Sequence, residues 1–373
     1  MGAVTIGNSK EEYHLLLDSA ASNTWVMGQE CESEACGRHN TFGEGDSDTL
    51  KTDSKTFSIT YGTGSVSGTT ATDTIHIGSL STSLTFGLAT NVSQEFNAYP
   101  MDGILGLGKG EQASTLGTPQ LIDTLFSSKL ISSKLYGLHL SRAADGLNDG
   151  ELTLGSVNED RYSGDISWYP ALDNDAGFWE LAISDAGTDA SMTGLTGKSA
   201  IIDTGTSFVF LPEDDADALH ALIDGAQRDG ETFSVPCSTT TFLQIKFGEQ
   251  VYGVDPKDWV GGTTEEGCRS NIFARQTFGD DQWLLGDVFL KNVYAAFDLE
   301  KNRVGFGTNS GGDDGSSSSS STSSSSSASA SASATATGTS STSTLHFLCH
   351  SGVLIYLYRL REFNFDTDTG TGV

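Results

Sequence analysis

The chain has 373 residues, 44 of them glycine, and a formal net charge of −29 at pH 7. That length suggests two or three domains and can bury a large core. The charge makes nucleic acid and anionic membranes poor partners, since like charges repel, and suits an acidic medium in which carboxylates become protonated, although composition alone favours an acidic, soluble secreted protein with no special pH preference.

The opening residues, Met1-Gly2-Ala3-Val4-Thr5-Ile6, have neither a basic region nor a long apolar stretch, so they do not read as a signal peptide. Ile6 stands where a myristoylation signal needs Ser or Thr. Residues 1–310 then alternate short β-type runs with Gly, Ser, Asn and Asp turns, which predicts an all-β fold with a few short helices. Leu15-Leu16-Leu17 reads as a buried strand that runs into the turn Asp18-Ser19-Ala20-Ala21-Ser22. Cys31 and Cys36 enclose a short loop. Residues 56–61 and 65–68 flank Gly62-Thr63-Gly64, the pattern of a hairpin whose turn glycines permit unusual backbone angles. Asn91-Val92-Ser93 is an acceptor sequon for glycosylation. Pro119 predicts the start of a helix with Leu121, Ile122, Leu125 and Phe126 on its apolar face. Pro212 predicts another, with Ala216, Leu219, Leu222 and Ile223 inward.

Between these helices, Ala200-Ile201-Ile202 runs into Asp203-Thr204-Gly205-Thr206-Ser207 and repeats the first acidic turn. Cys237 and Cys268 enclose a longer loop. Two disulfides in an oxidising compartment follow, with Cys349 left over. The histidines are scattered and no cluster has metal-ligand spacing, so no zinc site is expected. A second correspondence links the halves: Asp102-Gly103-Ile104-Leu105-Gly106-Leu107-Gly108 and Trp283-Leu284-Leu285-Gly286-Asp287 each lie about 80 residues beyond an acidic turn. From Gly311 to Thr344 the composition collapses to small and polar residues, dominated by Ser, Thr, Ala and Gly, from which no core can form. It reads as an extended, disordered stalk bearing O-linked sugars, with an unmodified flexible tail as the alternative. Residues 345–358 are apolar but too short to span a bilayer, and the tail 345–373 ends polar rather than apolar, unlike a lipid-anchor signal.

One Asp-Thr-Gly or Asp-Ser-Ala turn is ordinary turn chemistry. Two matched turns from two similar halves can place Asp18 and Asp203 side by side, where carboxylates share one proton and activate water. Other motifs fail on inspection. Gly103-Ile104-Leu105-Gly106-Leu107-Gly108-Lys109 nearly spells a phosphate loop, but Gly110 replaces the Ser or Thr that would hold magnesium. Gly64-Ser65-Val66-Ser67-Gly68 has Val where a nucleophile elbow needs Ser.

The turns at Asp18–Ser22 and Asp203–Ser207, Tyr61 in a Tyr-Gly-Thr-Gly setting, Ser22-Asn23-Thr24-Trp25-Val26, and Leu285-Gly286-Asp287-Val288-Phe289 through Phe297-Asp298 and Val304-Gly305 resemble the pepsin-like aspartic endopeptidases. The nearest likeness is to fungal secreted, cathepsin D-like members, some of which carry a Ser-rich stalk and a lipid anchor. The resemblance covers about 1–308 and implies a bilobal β-fold with one catalytic Asp per lobe and a cleft between. It implies an N-terminal lobe at 1–164 and a C-terminal lobe at 165–310. It further implies disulfides Cys31–Cys36 and Cys237–Cys268, a flap formed by Tyr61, Gly62 and Thr63, and support of the dyad by Ser19, Thr204, Gly205 and Thr206. Trp25 either supports Tyr61 through its indole N–H or is plain core. Peptide or protein substrates, pepstatin-type inhibitors, a monomer, no cofactor, and secretion or a cell-surface location are the corresponding expectations.

The expected chemistry is general acid–base hydrolysis at acidic pH, with a water held between Asp18 and Asp203 and no covalent intermediate. The first turn departs from the family in two places. Ala20 replaces Gly, which costs about 1–2 kcal/mol if the position needs a positive φ, and its Cβ could crowd the other lobe. Ala21 removes a hydroxyl that would hydrogen-bond an outer oxygen of Asp18, which predicts a raised pKa. A homologue that binds peptides without turning them over is the alternative reading.

Overall fold

The computed structural model describes residues 1–110, 114–310 and 343–346. The stretch expected as a stalk, 311–344, and the tail 345–373 with Cys349 otherwise lie outside the described residues.

In the first half, strands Gly2–Ile6 (β1), Tyr13–Asp18 (β2), Trp25–Met27 (β3), Lys51–Tyr61 (β4), Gly64–Ile77 (β5), Leu80–Val92 (β6) and Gly103–Gly106 (β7) form one seven-stranded sheet, ordered β1-β2-β7-β3-β6-β5-β4. Helix Leu121–Ser127 (α1) and strands Leu135–His139 (β8) and Glu151–Leu154 (β9) follow. The second half contains Tyr162–Pro170 (β10), Glu180–Ile183 (β11), Asp185–Thr188 (β12), Lys198–Ile202 (β13), Val209–Leu211 (β14), helix Glu213–His220 (α2), Gln227–Asp229 (β15) and Thr232–Val235 (β16). Then come Leu243–Phe247 (β17), Gln250–Val254 (β18), helix Pro256–Trp259 (α3), Val260–Thr264 (β19), Gly267–Ser270 (β20), Ile272–Ala274 (β21), Gln282–Leu285 (β22), helix Asp287–Leu290 (α4), Val293–Asp298 (β23) and Arg303–Asn309 (β24). Ser343–His346 forms a last strand, β25.

The halves repeat one device. β2 lies parallel to β7 with Asp18 opposite Gly106, and β13 lies parallel to β22 with Ile202 opposite Leu285. The second half builds its central sheet as β11-β13-β22-β14-β21, fringed by β12-β17-β18 and β15-β16-β20-β19. A six-stranded sheet, β10-β24-β23-β8-β9-β25, takes strands from both halves and ties them together. This is the mainly-β, bilobal arrangement that the sequence predicts.

Patterning explains which strands sit where. On β6, Leu80, Leu84 and Phe86 face inward while Ser81 and Ser83 face solvent, as a half-buried strand requires. In the central β13, Ala200, Ile201 and Ile202 are all buried, because elements cover both faces. The predicted helices form. Leu121, Ile122 and Leu125 of α1 are buried, and Phe126 is partly so. The second helix starts right after Pro212 and buries Ala216 and Leu219, but it stops at His220. Ile223, past its end, is still buried, whereas Leu222 is only partly covered. Disulfides join Cys31 to Cys36 and Cys237 to Cys268. No helix among the described residues is long and apolar enough to cross a membrane.

Candidate active site

The two acidic turns meet where the halves touch. Asp18 ends β2, and Asp203 follows β13 directly. Each turn grips the other through its hydroxyl. The Ser19 N–H donates to Thr204 Oγ1 at 2.9 Å, and the Thr204 N–H donates to Ser19 Oγ at 3.0 Å. Ser19 Oγ then donates to the Ile202 carbonyl at 2.8 Å, and Thr204 Oγ1 to the Leu17 carbonyl at 2.7 Å. Each hydroxyl accepts one bond and donates one, so the two turns grip each other reciprocally.

The paired apolar-Gly segments close in from behind. The Leu107 N–H donates to the Asp18 carbonyl at 2.8 Å, and the Asp203 N–H donates to the Leu285 carbonyl at 3.0 Å. A Cβ added at Gly286 would stand 2.1 Å from the Thr206 carbonyl oxygen, so only glycine permits this approach.

The carboxyls of Asp18 and Asp203 are 1% and 0% exposed and share a hydrogen bond. Their other partners differ. Asp18 Oδ1 accepts the N–H groups of Ala20 and Ala21, both at 2.9 Å, and among the described residues no hydroxyl donates to its carboxyl. Asp203 Oδ1 accepts the Gly205 N–H at 2.7 Å, and its Oδ2 accepts the Thr206 hydroxyl at 2.6 Å. Burial pushes Asp18 up to about 6, against the two backbone donors and the bond with Asp203. Burial, and then the charge of Asp18, hold Asp203 well above the usual carboxylate range, against the Thr206 and Gly205 donors.

Gly205 packs its backbone onto the opposite carboxyl: a Cβ there would lie 2.6 Å from Asp18 Cγ and Oδ2. Position 20 is its counterpart in the first turn. The strain foreseen for an alanine at that position does not arise. Lys129 and Asn302 are the non-glycine residues with positive φ among those described, and Ala20 is not one of them. A non-left-handed backbone at position 20 holds an L-residue without penalty.

Tyr61 ends β4 and pairs with Gly64, which leaves Gly62 and Thr63 as the hairpin tip. Trp25 lies in β3, just past the first turn. It is fully buried, and its Nε1–H donates to the Tyr61 hydroxyl at 2.8 Å. Phe96, which sequence reasoning missed, packs edge-on against both rings, with centroids 5.6 Å from Trp25 and 6.2 Å from Tyr61. It belongs to a single turn of 3-10 helix, Gln94–Ala98, far from either motif in sequence, and only the close packing of the folded chain reveals its place. Asn23, part of the stretch that runs on from the first acidic turn, is buried. Its Oδ1 accepts the Ser114 hydroxyl at 2.7 Å and the Leu116 N–H at 3.2 Å, which pins the chain just past the first turn.

A small cavity is lined by Asp18, Ala20, Ala21, Ser22, Asn23, Ile59 and Tyr61, so Tyr61 and the first carboxyl border one space. The remaining predicted positions lie elsewhere. Asn91 is exposed on β6, its Oδ1 accepting the Ser33 hydroxyl. The near-phosphate-loop is mostly strand β7, and Lys109 Nζ is engaged by the Leu172 carbonyl and Asn302 Oδ1.

A sequence model of the family described as eukaryotic aspartyl protease matches residues 1–309. A probable aspartic-type endopeptidase CTSD of Arthroderma otae is 42% identical over 301 residues, covering 80% of this chain and 79% of that protein. The aspartic-type endopeptidase ctsD of Aspergillus fumigatus is 41% identical over 309 residues, or 82% of this chain, which spans 65% of that relative's length. Pepsin A of Bos taurus is 32% identical over 314 residues, covering 82% of each. With paired carboxyls held by reciprocal turns beside a tyrosine hairpin, and with matches of this extent, the chain belongs to the eukaryotic aspartyl proteases.

Proposed function

We propose that the protein is an aspartic-type endopeptidase that hydrolyses peptide bonds with Asp18 and Asp203 as its catalytic residues. The observation that carries this reading is the hydrogen-bonded, buried pair of carboxyls with unequal partners. Two close carboxyls cannot both ionise cheaply, so the pair retains one proton over a wide range. The ionised member takes a proton from water held between the two, while the protonated member donates a hydrogen bond to the scissile carbonyl. A tetrahedral diol forms, the nitrogen is protonated, and the amine leaves. Ser19, Thr204, Gly205 and Thr206 act as positioning residues for the two carboxyls. The hairpin carrying Tyr61, Gly62 and Thr63 closes over the peptide and excludes water, with Trp25 holding the Tyr61 hydroxyl.

Substrates are peptides or proteins bound as extended segments in a cleft between lobes that divide at 164/165, within β10. Pepstatin-type inhibitors occupy the same cleft. The protein works as a monomer in a secreted or cell-surface location, with Asn91 glycosylated and the C-terminal region serving attachment. Because Asp18 titrates near 6, the one-proton form of the pair is populated above about pH 6 and fades below it. The working range is therefore only mildly acidic.

The absence of a hydroxyl at Ala21 favours one competing reading, a homologue that binds peptides without turnover. Cleavage of a denatured protein substrate between about pH 3 and 7.5 separates the two. The enzyme reading expects pepstatin-sensitive cleavage that Asp203→Asn abolishes. A folded protein that binds pepstatin but cleaves nothing at any of these pH values would establish the binding homologue instead.

A further inference from the structure

Among the described residues, Asp18 is held outside the dyad by the N–H groups of Ala20 and Ala21, so its ionisation depends on where the backbone of the first turn stands. That backbone is gripped from behind at Leu107 and Gly108. The Leu107 N–H donates to the Asp18 carbonyl at 2.8 Å, and the Gly108 N–H donates to the Ala21 carbonyl at 2.8 Å. The carbonyl of that second peptide, Leu107 C=O, accepts the Tyr136 hydroxyl at 2.7 Å. We infer that Tyr136 is a positioning residue for Asp18: its hydroxyl fixes the Leu107–Gly108 peptide, which fixes the turn whose N–H groups donate to the carboxyl. As a statement about catalysis, the inference rests on the proposed function.

Packing alone does not call for the hydroxyl. The Tyr136 ring is fully buried and stacks on Phe297, with centroids 4.7 Å apart and an interplanar angle of 12°. A phenylalanine would make the same stack and bring no polar atom into the core, where an unbonded hydroxyl is costly. The hydroxyl is bonded, and its acceptor is the peptide that holds the first turn. A carbonyl that accepts a hydrogen bond polarises its own peptide, so the Tyr136 bond also strengthens the Gly108 N–H as a donor to Ala21. The second turn has the Thr206 hydroxyl on Asp203 Oδ2 and leans less on its backbone. The first turn, with alanine at position 21, relies on backbone donors, and Tyr136 supplies a hydroxyl one peptide removed.

Trp179 converges on the same place. Its Nε1–H lies 3.4 Å from the Leu107 carbonyl oxygen and also serves the Tyr136 hydroxyl. Its own carbonyl accepts the Ile202 N–H at 2.9 Å, in the strand that delivers Asp203. Burial, opposed by the Trp179 indole and aided by the charge of Asp18, holds the Tyr136 phenol well above its ordinary value, so it remains a donor throughout the working range. The charged groups around this arrangement are Asp18 and Asp203, with Asp287 acting on Asp203. On the far side of the Trp179 ring is Lys109, its Nζ 5.5 Å from the centroid and under the influence of Asp173 and Glu180. Exchanging Tyr136 for phenylalanine alters none of these charges.

The test is the titration of Asp18 itself, read by carboxyl-carbon NMR in an Asp203→Asn background, which stops self-digestion and leaves Asp18 to titrate alone. Tyr136→Phe deletes the hydroxyl and keeps the stacked ring. Tyr294→Phe is the control: it deletes another fully buried hydroxyl, one that accepts the Asn158 N–H at 2.9 Å and so serves a different part of the chain. Loosening the first turn weakens the donors to ionised Asp18. Its titration should therefore move up by at least about 0.5 unit in Tyr136→Phe and by less than about 0.2 unit in Tyr294→Phe. An Asp18 titration that Tyr136→Phe leaves in place, or that both variants move equally, would overturn the inference. With the dyad intact, Tyr136→Phe should lower kcat at least about fivefold while KM stays within about twofold, which a general loss of stability would not produce. An unchanged kcat would overturn the inference as well. A native chain without turnover would instead count against the proposed peptidase, and the Asp18 titration would still decide the role of Tyr136.

Discussion

Thr206 and Ala21 occupy matching places in the two acidic turns, and the chemistry of the pair turns on that difference. The Thr206 hydroxyl donates to Asp203 Oδ2, while among the described residues Asp18 accepts only backbone N–H groups outside the dyad. A hydroxyl that donates to a carboxylate stabilises the ionised form and lowers the pKa. Ala21→Ser therefore lowers the value near 6 at Asp18. A charge-assisted bond of about 1.5 kcal/mol corresponds to about one pH unit. The sign is fixed: the one-proton pair persists to lower pH, so the acidic limb of the kcat/KM profile moves about one unit toward acid. Profiles of the native chain and Ala21→Ser that superimpose would show that position 21 does not set this limb. Ala20→Gly relieves no left-handed strain, since Ala20 has none, and is not required for the shift.

At the scale of single elements, α2 presents a buried titratable group that the proposed chemistry does not use. His220, its last residue, is 2% exposed and lies flat on Phe233 of β16 with ring centroids 3.6 Å apart. Its Nδ1–H donates to the Ala216 carbonyl at 2.8 Å, so the neutral ring accepts from the Ser270 hydroxyl at 2.9 Å through Nε2. Burial drives its pKa down to about 4. The folded state then binds fewer protons than the unfolded chain between pH 6.5 and 4. The stability from neutral His220 is whole above about 6.5 and is lost as pH falls through that window, by about 3 kcal/mol at pH 4. His220→Gln retains one donor and one acceptor without the titration. Urea unfolding in an Asp203→Asn background, which prevents self-digestion, should show the native histidine losing about 3 kcal/mol relative to glutamine between pH 7 and 4. A difference that stays constant with pH would rule out this linkage. The sequence showed that a helix begins after Pro212 and which face is apolar, because proline and the 3.6-residue period are local signals. It did not show that the helix stops at His220, nor that the ring stacks on Phe233, because both depend on strands that arrive later in the chain. Phe96 was illegible for the same reason, while Trp25, next to its motif in sequence, could be singled out but not given one description.

For the whole molecule, the legible part was the duplication. Two acidic turns and two apolar-Gly segments implied two halves, and the parallel pairings of β2 with β7 and β13 with β22 realise it. Composition could not reveal how strongly the halves depend on each other at the site. Ser19 holds the Ile202 carbonyl and Thr204 the Leu17 carbonyl, each in the opposite half, at the ends of the strands that deliver Asp203 and Asp18. Stability and carboxyl geometry therefore share the same four hydrogen bonds. Thr204→Val keeps the shape but strands the Ser19 N–H and the Leu17 carbonyl in a buried interface, at a cost of about 2–4 kcal/mol. Ser19→Ala strands the mirror-image groups at a similar cost. Because the two hydroxyls serve one interface, their effects should not add: the double variant should lose at least about 0.5 kcal/mol less than the sum of the singles. The same variants should lower kcat more than they raise KM, since both hydroxyls are engaged in bonds between the turns, which under the proposed function set the relative placement of the carboxyls. Additive losses in urea unfolding, with kcat unchanged, would mean that each turn is held by its own half and that the bonds between them serve neither purpose.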